Sequence, residues 1–403
     1  MLVRFAVANF LSFGPRWELD LRCPLPTLGP QLPDGSHVLS RALLMGAGGQ
    51  GKSNLLRALA SLRQLLLHGN RPGQGQRPQL SPCRLLDPPQ PASRFELTIW
   101  TAGALFRYEL TLRAEQVDAE LLCRQSPGEP EVMIFSRERK NPVLQLTDVK
   151  VGAGATRDRG RLEALALTLP LEQPLLAEAL AQGSEELAPI AAWLEGRLQL
   201  LRPEPRVTGL AARCAHHPDF ADRLAGLLRA VGWPVTHVAA RKTPIGPDYF
   251  ENEAEQRQVV QALLGYPDAF VQTHEGELIA EREANFVDLF LTSLQIGLHG
   301  PSGRQSDFST SELSDGMLRL LHLSPLALAD EQQPAPVLVV DDLGRGLAAS
   351  VLAQLLAYPQ RPLDAQVIAT ALPDAELVGL FPPEARRQLP ASCGITVGSA
   401  TAS

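Results

Sequence analysis

Residues 46–53 read Gly46-Ala47-Gly48-Gly49-Gln50-Gly51-Lys52-Ser53, followed by Asn54. The stretch satisfies GxxxxGK[ST], in which glycines turn consecutive backbone N–H groups inward around phosphate oxygens. The lysine reaches the terminal phosphates, the hydroxyl binds Mg²⁺, and the helix that follows presents its positive end to the anion. The flanks agree with this. Ala42 to Met45 reads as a short apolar strand, and Leu55, Leu59, Leu62 and Leu66 form one stripe of a helix from about Lys52 to His68. Gly46, Gly48, Gly49, Gly51, Lys52, Ser53 and Asn54 are therefore the expected nucleotide-binding residues, with Ser53 also an expected metal ligand.

Two rival readings of the same residues fail. Gly46-x-Gly48-x-x-Gly51 is a dinucleotide fingerprint, but that site wants an acidic residue about 20 positions on. No Asp or Glu occurs between Asn54 and Leu86. A GTPase could cite Asp341-x-x-Gly344, yet its guanine-reading motif needs a lysine after an asparagine, and none of the four lysines follows one. The run Val337-Leu-Val-Val-Asp341-Asp342 instead reads as a buried strand ending in two carboxylates. Beside a phosphate loop, Asp341 is expected to hold the Mg²⁺ water shell and Asp342 to face the attacking water. Asp342 and Lys52 are thus the expected catalytic residues.

Working outward, Val3, Phe5 and Val7 alternate, as do Trp17, Leu19, Leu21 and Cys23 against Arg16, Glu18, Asp20 and Arg22, the pattern of half-buried strands. Residues 69 to 92 are crowded with Gly, Pro and Gln and read as a loop. Alternation returns at Phe95, Leu97, Ile99 and at Phe106, Tyr108, Leu110, Leu112, with too few residues between runs for a parallel crossover, so an antiparallel meander is expected. The stretch from about 160 to 300 is Ala/Leu-rich and reads as mainly helical. Past Thr310 the order is helix, buried strand, helix, strand. The expected fold is α/β, a phosphate-loop NTPase whose two chain ends build one sheet. Its parts are the first half of the head (1–68), an antiparallel β-subdomain (69–150), a mainly helical lobe (151–305) and the second half of the head (306–403).

Composition limits the function. The 403 residues carry 37 basic and 44 acidic side chains, a net charge of −7 that argues against a general polyanion binder. Five scattered cysteines without a CxxC pair suit reduced, buried thiols. No apolar run approaches a membrane span and the N-terminus has no apolar h-region, so a cytoplasmic protein is expected. His216 and His217, with Cys214 and Asp219, crowd four candidate ligands into six residues and match no zinc spacing. No nuclease, protease or toxin motif is readable, so any effector activity is expected from a partner.

Between loop and acidic strand lies Ser311-Glu-Leu313-Ser314-Asp315-Gly316-Met317, which resembles the signature motif of ABC-type heads. Asn9-Phe10-Leu-Ser-Phe13, the phosphate loop, the meander, Ser314-Asp-Gly316 and Val337 to Asp342 follow in the order found in RecF/SMC-like AAA-type ATPases of prokaryotes. That resemblance implies ATP and Mg²⁺ as cofactors and a homodimer with ATP at its interface. In it Ser314 and the N–H groups around Gly316 of one copy cap the nucleotide held by the other. It also implies a role in DNA repair or anti-phage defence, with DNA or a separately encoded effector protein as partner.

The chain departs from that pattern in four places. Gly48 and Gln50 stand where the group has Asn and Ser. Asp342 stands where it has Glu, retracting the base by about 1.5 Å. Ala371 occupies the switch-His position, and the stretch after Asp342 lacks the usual Pro and His. RecF resembles this chain in its Asp-Asp pair and in having no late-strand His. The expected function is an ATP-binding, slowly hydrolysing, ATP-dependent dimerising switch. The alternative is a non-hydrolysing nucleotide-binding scaffold for a partner.

Overall fold

The computed structural model describes residues 1–70, 80–86, 92–141, 146–155, 158–204, 207–265, 268–283, 286–328, 335–358 and 365–389. Most of the expected loop at 69 to 92, and Cys393, lie outside them. The chain divides into two units. One comprises Met1–Arg202, Asp330–Leu343 and Pro362–Ser403, the other Pro203–Ala329 and Gly344–Arg361.

The first unit holds two sheets. Its antiparallel sheet runs, side by side, Leu146–Val151, Val132–Asn141, Gln116–Gln125, Ala104–Arg113, Ser93–Thr101, Leu2–Ala8 and Trp17–Asp20. Register explains why it buries one face. Phe95, Leu97 and Ile99 oppose Leu110, Tyr108 and Phe106, while Val7 and Phe5 oppose Phe95 and Leu97. The apolar sets of three strands therefore point the same way. On the other face Arg16 pairs with Glu96 at 2.7 Å. The antiparallel meander expected from Phe95 onward is thus continuous with the N-terminal hairpin.

The second sheet is parallel, in the order Leu198–Leu201, Val337–Val340, Gln366–Ala371, Arg41–Met45, Arg386–Gln388. Strands from both ends of the chain meet here, as the sequence predicts. Its first edge strand, Leu198–Leu201, comes from the stretch expected to be helical and pairs with Val337–Val340. Gln366 joins the two sheets. Its fully buried carboxamide accepts from the Leu2 N–H at 2.7 Å and donates to the carbonyls of Leu2 (2.8 Å) and Leu39 (2.9 Å).

In the second unit the helices Leu210–His216 and Pro218–Ala230 fit the helical expectation, and Phe220, Leu224, Leu227 and Val231 are buried. Beyond Ala230 the expectation is corrected. Val235–Pro244, Phe286–His299, Glu277–Glu283 and Val271–Gln272 form an antiparallel sheet, with Gln305–Ser309 also on the long strand. The period-2 signal was hidden by Thr292, which sits fully buried between Phe290 and Leu294 by donating to the Glu277 carbonyl at 2.7 Å. Buried Glu277 in turn accepts from the N–H groups of Gly209 and Ala212 and holds the start of the Leu210–His216 helix. Among the described residues, no helix is long and apolar enough to cross a membrane.

Candidate nucleotide site

The phosphate-loop strand Arg41–Met45 sits inside the parallel sheet with Ala42, Leu43 and Leu44 fully buried. Parallel strands present their carboxyl ends on one edge, where ligands of such sheets bind. There the chain turns through residues 46–51 and enters the helix Lys52–His68, whose Leu55, Leu59, Leu62 and Leu66 are buried. Gly51 has φ +91, and a Cβ there would lie 2.3 Å from Ser12 Oγ. Only glycine fits. Over Gly48 and Gly49 a Cβ would meet nothing within 4 Å, so the turn opens outward.

Lys52 Nζ donates to the Gly46 carbonyl at 2.6 Å and the Ala47 carbonyl at 2.9 Å. An ammonium has three donors, so this tether leaves one for a phosphate oxygen. Burial pushes the Lys52 ammonium below its ordinary range, and the charges of Asp342 and then Asp341 oppose that shift. Ser53 is exposed in the first helical turn, where backbone N–H groups have no partner within the helix. The Asn54 side chain ties the loop to a neighbouring turn: its Nδ2 donates to Ser12 Oγ at 2.9 Å. Ser12 belongs to the Asn9–Phe13 turn, in which Asn9 and Leu11 take left-handed φ of 50° and 49°. The Asn9 carboxamide accepts from the Cys83 N–H (3.0 Å) and donates to the Ala92 carbonyl (3.2 Å).

Val337–Val340 is buried throughout and delivers Asp341, 3% exposed, and Asp342. The Asp341 N–H continues the sheet to the Leu201 carbonyl at 2.8 Å. At Asp342 the backbone leaves the strand with φ 51. The strand Gln366–Ala371 lies between the acidic strand and the phosphate-loop strand and touches the ends of both. Its Thr370 hydroxyl bonds Asp341, and its Ala371 carbonyl accepts from the Gly46 N–H at 3.3 Å. Ala371 is fully buried, a methyl where the resemblance led one to look for histidine.

Ser314 and Gly316 lie in the second unit. Ser314 is the N-cap of the helix Asp315–Leu323, its hydroxyl accepting from the Met317 N–H at 3.4 Å. A Cβ on Gly316 would stand 3.3 Å from the Gly346 carbonyl. Arg319, 2% exposed, donates to the Pro203 carbonyl at 3.2 Å. The helix stops at Leu323, two residues before Pro325. Elsewhere in this unit His217 Nε2 meets Asp268 Oδ2 at 2.8 Å. Cys214 is buried, its thiol pushed up to about 12.

Phosphate-loop and acidic residues thus converge on one sheet edge, whereas the signature residues belong to the other unit. Sequence reasoning missed Ser12, Gln50, Thr370 and Gln366 as parts of this framework. The two in Gln366-Val-Ile-Ala-Thr370-Ala371 had a readable signal, being polar residues in a strand otherwise apolar.

The family model AAA_21, described as "AAA domain, putative AbiEii toxin, Type IV TA system", matches residues 42–370. No curated protein matches the chain. Solved structures that it resembles include an SMC head domain from Thermotoga maritima, 13% identical, covering 94% of this chain and 91% of that one at a TM-score of 0.31. Another is the recombination mediator protein RecF with ATPrS in the RecFOR pathway, 13% identical, covering 94% of each chain at a TM-score of 0.35. At such scores these likenesses carry no argument, and the assignment rests on the family match and on the strand order and loop described above. The chain belongs to the AAA_21 family of AAA-domain ATPases, built on an α/β phosphate-loop fold.

Proposed function

We propose that the chain binds ATP with Mg²⁺ at the 46–54 loop, hydrolyses it slowly, and uses it to join two copies of itself. The observation that carries this reading is the convergence of a tethered Lys52 with Asp341 and Asp342 on one edge of a parallel sheet.

The donor set fits the group. An outward-open glycine turn offers N–H donors to phosphate oxygens, and Ser53 with Asp341 offers the hard oxygens that Mg²⁺ prefers. Bound MgATP would supply the phosphoanhydride to be cleaved and a dication to neutralise it. Lys52 holds the terminal phosphates. Asp342, free of the strand at its positive φ, orients the attacking water. Ser314 and the amides around Gly316 cap the nucleotide held by a second copy, the Ser314 hydroxyl donating to phosphate while it still accepts from the Met317 N–H. DNA or an effector protein would read the joined state, in repair or in anti-phage defence.

A second reading, ATP as a glue that is never cleaved, is favoured by Ala371, whose buried methyl offers no polar group, and by Asp342, a carboxylate shorter than the Glu of the resembled group. Phosphate release from wild type, Lys52→Ala and Asp342→Asn separates the two. Slow release lost in both variants supports the switch. ATP binding with release no faster in wild type than in Asp342→Asn supports the glue, and rapid turnover would contradict both.

A further inference from the structure

The peptide unit between Gly46 and Ala47 is held at both of its polar ends. Its carbonyl, that of Gly46, accepts from Lys52 Nζ at 2.6 Å, while its N–H, that of Ala47, donates to Gln50 Oε1 at 2.7 Å. A trans peptide points these groups in opposite directions, so fixing one aims the other. We propose that Gln50 is a positioning residue for Lys52, its carboxamide oxygen locking the Gly46–Ala47 peptide so that the Gly46 carbonyl faces the ammonium. The role of the clamped lysine in holding phosphate rests on the ATP-binding reading above.

Three observations support the proposal. Glycine permits backbone rotations that other residues forbid, so a peptide that begins at Gly46 is among the easiest in the loop to flip. A flip would turn an N–H toward Lys52, donor against donor. Next, Gly46 and Gln50 are matched in shape: a Cβ on Gly46 would lie 2.7 Å from Gln50 Oε1, so the carboxamide occupies the space that the missing side chain leaves. Last, the Gln50 N–H faces the Ala47 carbonyl at 3.3 Å, and that carbonyl also receives Lys52 at 2.9 Å. Gln50 therefore touches the peptides on both sides of Ala47, and Lys52 accepts its orientation from the two carbonyls that Gln50 steadies. A serine, the residue of the resembled group at this position, is too short to make the same span.

The test compares Gln50→Met, which keeps the shape and removes the acceptor, with Gln50→Glu, which keeps both. Hydrogen exchange of the Ala47 amide, read at single-residue resolution on the full chain without nucleotide, reports the bond directly. The expected result is exchange about tenfold or more faster in Gln50→Met and close to wild type in Gln50→Glu. Binding of ATP with Mg²⁺ should weaken about five- to tenfold in Gln50→Met at an unchanged melting temperature. Wild-type protection of Ala47 in Gln50→Met would overturn the proposal. So would fast exchange with wild-type ATP affinity, since the clamp would then not serve Lys52. Should the wild type bind no ATP, the functional reading falls, while the Ala47 exchange still decides whether Gln50 holds the peptide.

Discussion

Thr370 Oγ1 donates to Asp341 Oδ1 at 2.7 Å and accepts from the Asp342 N–H at 3.0 Å. One hydroxyl on the middle strand thus fixes the side chain of the first acidic residue and the backbone of the second. Both bonds are buried or nearly so, where removing one partner leaves the other to bear its desolvation. Thr370→Val keeps the shape and removes the hydroxyl. It should cost about 1–3 kcal/mol in urea unfolding and lower phosphate release, whereas Thr370→Ser should retain most of both.

Gly51→Ala meets two obstacles, a left-handed φ of +91 and the Ser12 hydroxyl 2.3 Å from the new Cβ. A non-glycine residue held there stores about 1–3 kcal/mol of strain. The variant should melt lower and lose ATP binding. Adding Ser12→Gly removes the clash and leaves the strain, so calorimetry should show partial recovery of the melting temperature.

Gln366 shows what holds the two sheets of the first unit together. Replacing it by Leu strands the Leu2 N–H and the carbonyls of Leu2 and Leu39 in a dry interior. The expected loss is about 3–5 kcal/mol, seen as a lower urea midpoint with an unchanged slope.

Glu120 gives stability a pH dependence of unusual sign. Its buried carboxylate accepts from the N–H groups of Leu175 and Leu176 and from Tyr108, and burial raises its pKa above the ordinary 4.5. The folded chain therefore holds this proton to higher pH than the unfolded chain does. The stabilising share linked to that proton is complete below about 4.5 and is lost as pH rises toward the raised folded value. The unfolding free energy of wild type relative to Glu120→Gln should accordingly fall as pH rises through that window. A difference that grew with pH would contradict the assignment.

The parts of the fold that were legible were those in which local pattern and tertiary context agree. The apolar run before Gly46, the Leu55–Leu66 stripe and the alternation from Phe95 to Leu112 each bury the face that their period predicts. The phosphate loop was legible because its glycines are demanded by backbone geometry rather than by packing. What stayed hidden depended on partners far away in sequence. Nothing near Gln366 announces that Leu2, 364 positions earlier, is its partner. Leu198–Leu201 becomes a strand only because Val337–Val340 lies beside it. Asn54 reads as part of the phosphate motif, but nothing beside it announces its bond to Ser12, 42 positions earlier. The Val235–Pro244 and Phe286–His299 strands were obscured by buried Thr292 and by a bulge between Val235 and His237.

The proposed joining of two chains by ATP is tested most directly by light scattering behind size-exclusion chromatography on Asp342→Asn, the variant expected to keep the nucleotide. With ATP and Mg²⁺ the mass should rise from the monomer's 43.6 kDa to about twice that. It should remain at the monomer value without nucleotide, in Lys52→Ala, and in Ser314→Arg. A mass of 43.6 kDa under every condition, with ATP shown to be bound, would contradict the account.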